Sequence, residues 1–115
     1  MTYNRGDVVL VLFPNSDLRT AKRRPALVVQ ADNLATGLAQ TILAMITSNM
    51  DRAGHPCRVT VLLSTPEGQQ TGLLTNSVIM TDNLVTVQEA EIYRKIGVLP
   101  DMTAVDSAIN YTFGV

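Results

Sequence analysis

The chain has 115 residues, of which 46% are apolar, and a formal net charge of −1. This is enough material for one domain with a modest core, over residues 1–115, and too little for two. No apolar run approaches the ~18 residues of a membrane span, and the polar start "MTYNRGD" does not resemble a signal peptide, so we expect a cytoplasmic protein. One cysteine and one histidine exclude an internal disulfide and fall short of a four-ligand zinc site.

Short runs of β-branched and large apolar residues, separated by turn residues, predict a mainly β protein. The predicted strands are 7–13, 25–31, 41–48, 57–63, 77–82, 84–87 and 93–99. The run 41–48 is almost continuously apolar, which is typical of a strand buried on both faces. Residues 57–63 alternate with period two, which indicates a half-buried strand. The first residues of the last strand could instead finish a helical turn that starts at Gln88.

The end of the chain has a helical pattern. Asp101 is a suitable N-cap after Pro100. The apolar residues that follow recur at three- and four-residue steps, which predicts one buried helical face: Met102, Val105, Ile109 and Phe113. Consecutive strands with short connections and one terminal helix favour a small, strongly curved antiparallel barrel.

Positive charge is concentrated in "RTAKRRPALVV", residues 19–29, which holds four of the nine basic residues. The predicted strands place the cluster in a polar loop over residues 14–24. A charge run on a loop is usually only a solvated surface. Arg24 differs from its neighbours because Pro25 and the strand after it define its position. Arg24 is therefore the better candidate for chemistry.

Four ordered segments of this chain resemble the MazF/PemK family of toxin endoribonucleases. They are "RGDVVLVLFPNSD" (5–17), "KRRPALVVQ" (22–30), "AMITS" (44–48) and "SVIMTDNLVTV" (77–87). The resemblance implies a mainly β fold, an SH3-like barrel of the MazF/Kid/CcdB plasmid-maintenance toxin type with a C-terminal helix. It also implies a homodimer, a cognate antitoxin of the MazE/PemI kind, and cleavage of single-stranded mRNA without a metal or cofactor, leaving a cyclic phosphate and a 5′-hydroxyl.

By the same resemblance, Arg24 and Thr47 correspond to the catalytic pair. A guanidinium offers planar, forked donors suited to phosphate oxygens and stays charged at any working pH. A hydroxyl adds an uncharged donor. Attack by a ribose 2′-hydroxyl on its own phosphate gathers negative charge on oxygen, which such donors stabilise. The need for a 2′-hydroxyl explains why RNA would be cut and DNA would not.

The remaining candidate RNA-binding residues are polar or basic: Asp17, Arg19, Lys22, Arg23, Ser48, Asn76 and Ser77. We assign the three basic ones to phosphate contacts. Asp17 either positions Arg24 or the neighbouring lysine by ion pairing or is an ordinary loop residue. Some family members carry an arginine or aspartate just before the "SVI" strand, where this chain has uncharged residues. The general base is not assigned. His55 is expected to lie on a surface loop, and Tyr111 and Phe113 to pack in the terminal helix.

Two other functions fit the same resemblance. One is a toxin of the same fold that binds a protein target such as DNA gyrase, since fold alone does not decide function. The other is a degenerate member that binds RNA or antitoxin without cutting. Whichever of these functions the protein has, an acidic, extended antitoxin segment is expected to lie over the basic residues and cover Arg24.

Overall fold

The computed structural model describes residues 3–14, 17 and 19–115. Its strands are β1 (Asp7–Pro14), β2 (Ala21–Val28), β3 (Gln40–Thr47), β4 (Arg58–Val61), β5 (Ser77–Gln88) and β6 (Ile92–Val98). Its helices are α1 (Pro66–Gln70) and α2 (Thr103–Phe113), with short 3₁₀ turns at Met50–Arg52 and Glu89–Glu91. The second 3₁₀ turn lies where a helical turn after Gln88 was considered from the sequence.

All six strands form one sheet in the order β4–β5–β3–β2–β1–β6. Every neighbouring pair is antiparallel. The predicted fold class, mainly β with a C-terminal helix, is therefore confirmed.

The basic cluster lies largely on a strand, which corrects the predicted loop over 14–24. β1 extends through Pro14, and β2 begins at Ala21, four residues before the proline that was expected to open it. Pro14 pairs with Ala21, and the ladder continues through Leu12 and Arg23. The first residues of β2 are exposed and include Lys and Arg, so they lack the apolar pattern by which a strand is recognised in a sequence. The end of a strand that extends beyond the core needs no apolar residues. Residues 15, 16 and 18 of the predicted loop lie outside the described residues.

The two predicted strands at 77–82 and 84–87 are a single twelve-residue strand, β5. Its pairing with β3 shifts between Ala44 and Met45, whose partners are Leu84 and Met80. Extra residues in one strand bend it without ending it. The polar residues Thr81, Asp82 and Asn83 lie at this irregularity, which is why the sequence looked like a break.

The central strands are buried on both faces. β3 contributes Ala44 and Ile46 to a core beneath α2, and Leu43 and Met45 to a second core on the opposite face. The interpretation of 41–48 as a doubly buried strand is therefore confirmed. This rigid centre holds the ends of β2 and β3, where the candidate site lies.

Helix α2 covers the first of these cores with the buried Val105 and the partly buried Ile109. The helix begins at Thr103 and its N-cap is Met102, so the prediction of Asp101 as the N-cap is wrong by one residue. The Asp101 carboxylate still accepts hydrogen bonds from the backbone N–H of Thr103 at 2.9 Å and from the Thr103 hydroxyl at 2.7 Å.

The predicted buried face extends too far, because Phe113 is 60% exposed. In the third turn the half-buried Thr112 faces the sheet instead, and its hydroxyl lies 2.8 Å from that of Thr81 on β5.

Candidate functional site

Strands β2 and β3 bring Arg24 and Thr47 together. Their ladder pairs Ala26 with Met45. This is the last pair of that ladder, and Arg24 and Thr47 each lie two residues beyond it, so the two residues sit where β2 and β3 are no longer paired. Because side chains alternate along a strand, both residues are expected on the side of the second core, and both line a depression of about 230 Å³ there with Phe13, Met45 and Met80.

Arg24 and Thr47 are also lining residues of a larger cleft of about 440 Å³ at this end of the sheet. The cleft is bounded by β2, β3, β6 and the segment that follows α1. Its polar and charged lining residues are Lys22, Arg23, Arg24, Thr47, Ser48, Thr75, Ser77 and Arg94. The structure thus gathers six of the nine residues singled out from the sequence, and leaves Asp17, Arg19 and Asn76 outside the lining.

Arg94 is a cleft residue that sequence reasoning missed. It lies on β6 and pairs with Leu10 on β1, whose other neighbour is Pro25 on β2. Four basic residues, three from β2 and Arg94, therefore line one concavity and favour polyanionic ligands. The two adjacent basic residues in "YRK" were the only sign in the sequence of a cation at this position. Their proximity to Arg24, seventy positions earlier, follows from the β1–β6 pairing and could not be read from the sequence.

Thr47 ends β3 with its hydroxyl partly engaged. Its Oγ1 accepts a hydrogen bond from the backbone N–H of Asn49 at 3.1 Å. That contact uses a lone pair and leaves the O–H hydrogen as a donor. It also fixes the oxygen in space, so that a donor is held in place before any ligand binds. Ser48, the next residue, is exposed and lines the same cleft.

The opposite wall of the cleft is held against β6 by close backbone contact. Gly72 has φ of +72°, and a Cβ on it would lie 2.1 Å from the carbonyl oxygen of Ile96. Gly97 is approached in the same way by Gln70, whose carbonyl oxygen would lie 2.4 Å from an added Cβ. Only glycine permits this approach, so these two residues set the position of the wall.

The residues just before β5 have structural partners. The Asn76 side-chain carbonyl accepts a hydrogen bond from the backbone N–H of Leu63 at 2.9 Å. The buried Ser77 hydroxyl donates to the carbonyl of Thr75 at 2.9 Å. Asn76 therefore ties the segment after β4 to the start of β5, and Ser77 keeps its place at the base of the cleft.

Asp17 organises the turn that leads into β2. Its Oδ1 accepts hydrogen bonds from the backbone N–H groups of Arg19 at 2.9 Å and Thr20 at 3.1 Å, and its carboxylate accepts from the Thr20 hydroxyl. These hydrogen bonds hold the pKa of Asp17 below its ordinary value of 3.8, and the bond from the backbone N–H of Arg19 has the largest effect.

His55 lies outside the cleft lining, on the exposed segment before β4. Its Nδ1 is 2.9 Å from the Cys57 sulfur, and its ring meets Tyr111 edge-on at 6.0 Å. Across residues 3–14, 17 and 19–115, no three His, Cys, Asp or Glu side chains gather as metal ligands. A search of the same residues finds no helix that is long and apolar enough to span a membrane.

The fold and the basic cleft agree with sequence comparisons. The profile of a family described as PemK-like, MazF-like toxins of type II toxin–antitoxin systems matches residues 4–113. The chain therefore belongs to this family of small bacterial toxins. It is 37% identical over 90 residues to endoribonuclease MazF6 of Mycobacterium tuberculosis and to endoribonuclease MazF2 of Mycobacterium bovis, covering 77% of this chain and 75% of each relative.

Solved structures share the fold over nearly the whole chain. A mycobacterial endoribonuclease in complex with its cognate antitoxin matches with a TM-score of 0.74 and 21% identity, covering 99% of this chain and 97% of that one. The toxin in a MazE–MazF complex from Deinococcus radiodurans matches with a TM-score of 0.72 and 18% identity, covering 100% and 99%. The resemblance noted from the sequence is thereby confirmed.

Proposed function

We propose that this toxin is an endoribonuclease that cuts single-stranded RNA in the cleft, without a metal ion, through Arg24 and Thr47. The carrying observation is that Arg24 from β2 and Thr47 from β3 line the same cleft, which four basic residues line in all. The naming of the 37% identical relatives as endoribonucleases supports the reaction class. We further propose that residues 1–115 form one domain that contains the site.

The reaction is an internal transfer at phosphorus. The 2′-oxygen of one ribose attacks the adjacent phosphate, the bond from phosphorus to the 5′-oxygen breaks, and the products are a 2′,3′-cyclic phosphate and a 5′-hydroxyl. Negative charge develops on the equatorial phosphate oxygens and on the departing oxygen. Arg24 donates forked hydrogen bonds to phosphate oxygens, and the fixed Thr47 hydroxyl donates to the same group.

The other cations hold the RNA in place. Lys22 on β2 and Arg94 on β6 both line the cleft. Contacts of such residues to phosphates position the strand and carry no sequence information. Affinity is then salt-dependent, since each neutralised phosphate releases counterions.

The deciding experiment is cleavage of a long single-stranded RNA in EDTA by the wild type, Arg24→Ala and Thr47→Ala, each shown to be folded. Removing one preorganised donor to a developing oxyanion costs about 100-fold or more in kcat, so both variants should lose discrete fragments. Arg52→Ala is the matched control, because it removes the same charge from an exposed residue that is neither a candidate RNA contact nor part of the cleft lining. The wild-type fragments should carry 5′-hydroxyl ends.

The outcomes separate the alternatives. Equal cleavage by the wild type and Arg24→Ala would refute the assignment of the site. RNA that is bound but left intact by the wild type would favour a degenerate, binding-only toxin. If RNA is neither bound nor cut, a gyrase supercoiling assay tests the protein-binding alternative.

We also propose that the toxin acts as a homodimer, as the family resemblance implies. The C-terminal end of α2 supports an association surface, because Tyr111, Phe113 and Val115 are all exposed apolar residues there. Size-exclusion chromatography with light scattering should show a dimer at micromolar concentration. A monomer at that concentration would contradict the proposal.

The cognate antitoxin is proposed to cover the basic residues with an acidic, extended segment. The solved mycobacterial relative is in complex with its own antitoxin, and the four cations of the cleft here favour an acidic partner. A complex in which the antitoxin lies remote from residues 14–24 and 44–48 would overturn this placement.

A further inference from the structure

An arginine and a tyrosine are stacked beside the cleft. The guanidinium carbon of Arg23 lies 3.6 Å from the ring centroid of Tyr93. Both side chains are exposed, and Tyr93 retains 54% of its accessible surface. A guanidinium at this distance lies over the aromatic face and is held by cation–π attraction. The stack therefore fixes the orientation of a side chain that would otherwise move freely in solvent.

A β-bulge in β6 places Tyr93 at this position. On β1, Leu10 pairs with Arg94 and the next residue, Val11, pairs with Ile92, so Tyr93 is the extra residue between them. A bulge changes the direction in which side chains leave a strand and is common next to active sites. Ile92 is buried in the second core, whereas Tyr93 is exposed.

The stack continues the cleft. Arg23 lines the cleft and also a neighbouring depression of about 490 Å³, whose other lining residues are Leu12, Ala90, Glu91, Ile92 and Tyr93. An RNA strand that leaves the cleft past Arg23 therefore meets the depression next.

The chemistry of the depression suits a base better than a phosphate. Leu12 and Tyr93 offer apolar and aromatic surface. The Glu91 carboxylate is fixed there by a hydrogen bond at 3.0 Å from the backbone N–H of Gln88. A fixed negative charge repels phosphate, whereas an uncharged flat ring stacks on a guanidinium plane.

We propose that Arg23, held on Tyr93, is a stacking platform for the base of an RNA nucleotide that flanks the cleavage site. The base lies on the face of the guanidinium that is turned away from the tyrosine ring. This inference rests on the proposed function and replaces a purely phosphate-binding role for Arg23. Because every base has a flat π-face, the platform tolerates different bases and contributes to positioning more than to sequence choice.

The test uses a short RNA centred on the wild-type cleavage motif, together with versions that carry one abasic nucleotide at successive flanking positions. Stacking of a base on such a platform is worth about tenfold or more in affinity. One abasic position should therefore lower wild-type kcat/KM about tenfold. In Tyr93→Leu the same abasic nucleotide should have little effect, since the two changes remove one interaction.

Three matched variants separate stacking from charge and from folding. Tyr93→Phe keeps the aromatic face and should behave as the wild type. Arg23→Lys keeps the charge and loses the plane, so it should lose the sensitivity to the abasic nucleotide. Leu38→Ala removes an apolar side chain of similar exposure, 63%, outside both cavities, and should retain that sensitivity in full.

Equal abasic sensitivity in the wild type and Tyr93→Leu would overturn the platform. If the wild type cuts no RNA, the proposed endoribonuclease function is refuted independently of the platform. The platform is then tested by measuring RNA affinity instead of cleavage. Fluorescence anisotropy with a short uridine homopolymer should give binding about tenfold weaker for Tyr93→Leu than for the wild type. Equal affinities would refute it.

Discussion

The contact between Gly72 and β6 sets one wall of the cleft, and Gly72→Ala should damage both the fold and the site. The new Cβ would lie 2.1 Å from the carbonyl oxygen of Ile96 and 2.7 Å from its carbonyl carbon. A left-handed φ costs a residue with a Cβ about 1–2 kcal/mol, and overpacking adds about 1–3 kcal/mol, so we expect about 2–5 kcal/mol in total. This is a large part of the ~5–15 kcal/mol that stabilises such a domain.

Gly54→Ala is the matched control for that substitution. Gly54 has φ of +88°, and a Cβ on it would have nothing within 4 Å, so it carries the conformational cost without the clash. The two variants should differ by the clash alone, about 1–3 kcal/mol, which corresponds to roughly 4–12 °C in melting temperature for a chain of this size. Parallel thermal melts followed by circular dichroism measure the difference.

Gly72 also lines the cleft, so the effect should reach function. At a temperature where both variants are folded, Gly72→Ala should cut RNA more slowly than Gly54→Ala, because the backbone beside Thr75 and Ser77 must move to accommodate the methyl group. Equal melting temperatures would refute the reasoning from the Ile96 contact. A lower melting temperature with unchanged cleavage would show that this wall does not contribute to the site.

The remaining predictions concern charge. Lys22→Ala should reduce the slope of log affinity for RNA against log salt by about 0.7, the value for one phosphate contact on a single strand, and an unchanged slope in a salt titration would place Lys22 off the RNA path. Arg94→Ala should reduce the slope by a similar amount. If Lys22→Ala changes the slope and Arg94→Ala does not, then Arg94 on β6 does not contact the RNA phosphates. Asp82 accepts hydrogen bonds from Arg58 at 2.9 and 2.7 Å, and these hold its pKa below the ordinary 3.8. Since the folded pKa is the lower one, the stabilisation is present above pH 3.8 and is lost as pH falls through the folded value. Urea midpoints measured against pH should therefore decline less steeply on acidification in Asp82→Asn than in the wild type.

The sequence by itself determined the type and order of most strands. Alternation and apolar runs respond to burial, so strands near the core, such as β3, could be recognised within a residue or two at each end. The resemblance of four segments then gave the fold class and pointed to Arg24 and Thr47. Polar ends of strands carry no such signal, and for that reason the start of β2 and the continuity of β5 were missed.

Only the tertiary structure decided which residues share the cleft. The β1–β6 pairing carries Arg94 to the side of β2, and the bulge at Tyr93 turns a strand residue toward Arg23. The wall at Gly72 depends on contact with Ile96, twenty-four positions later in the chain. Local patterns report whether a side chain is buried, but they do not report its partner, because long-range register is set by the packing of the whole sheet.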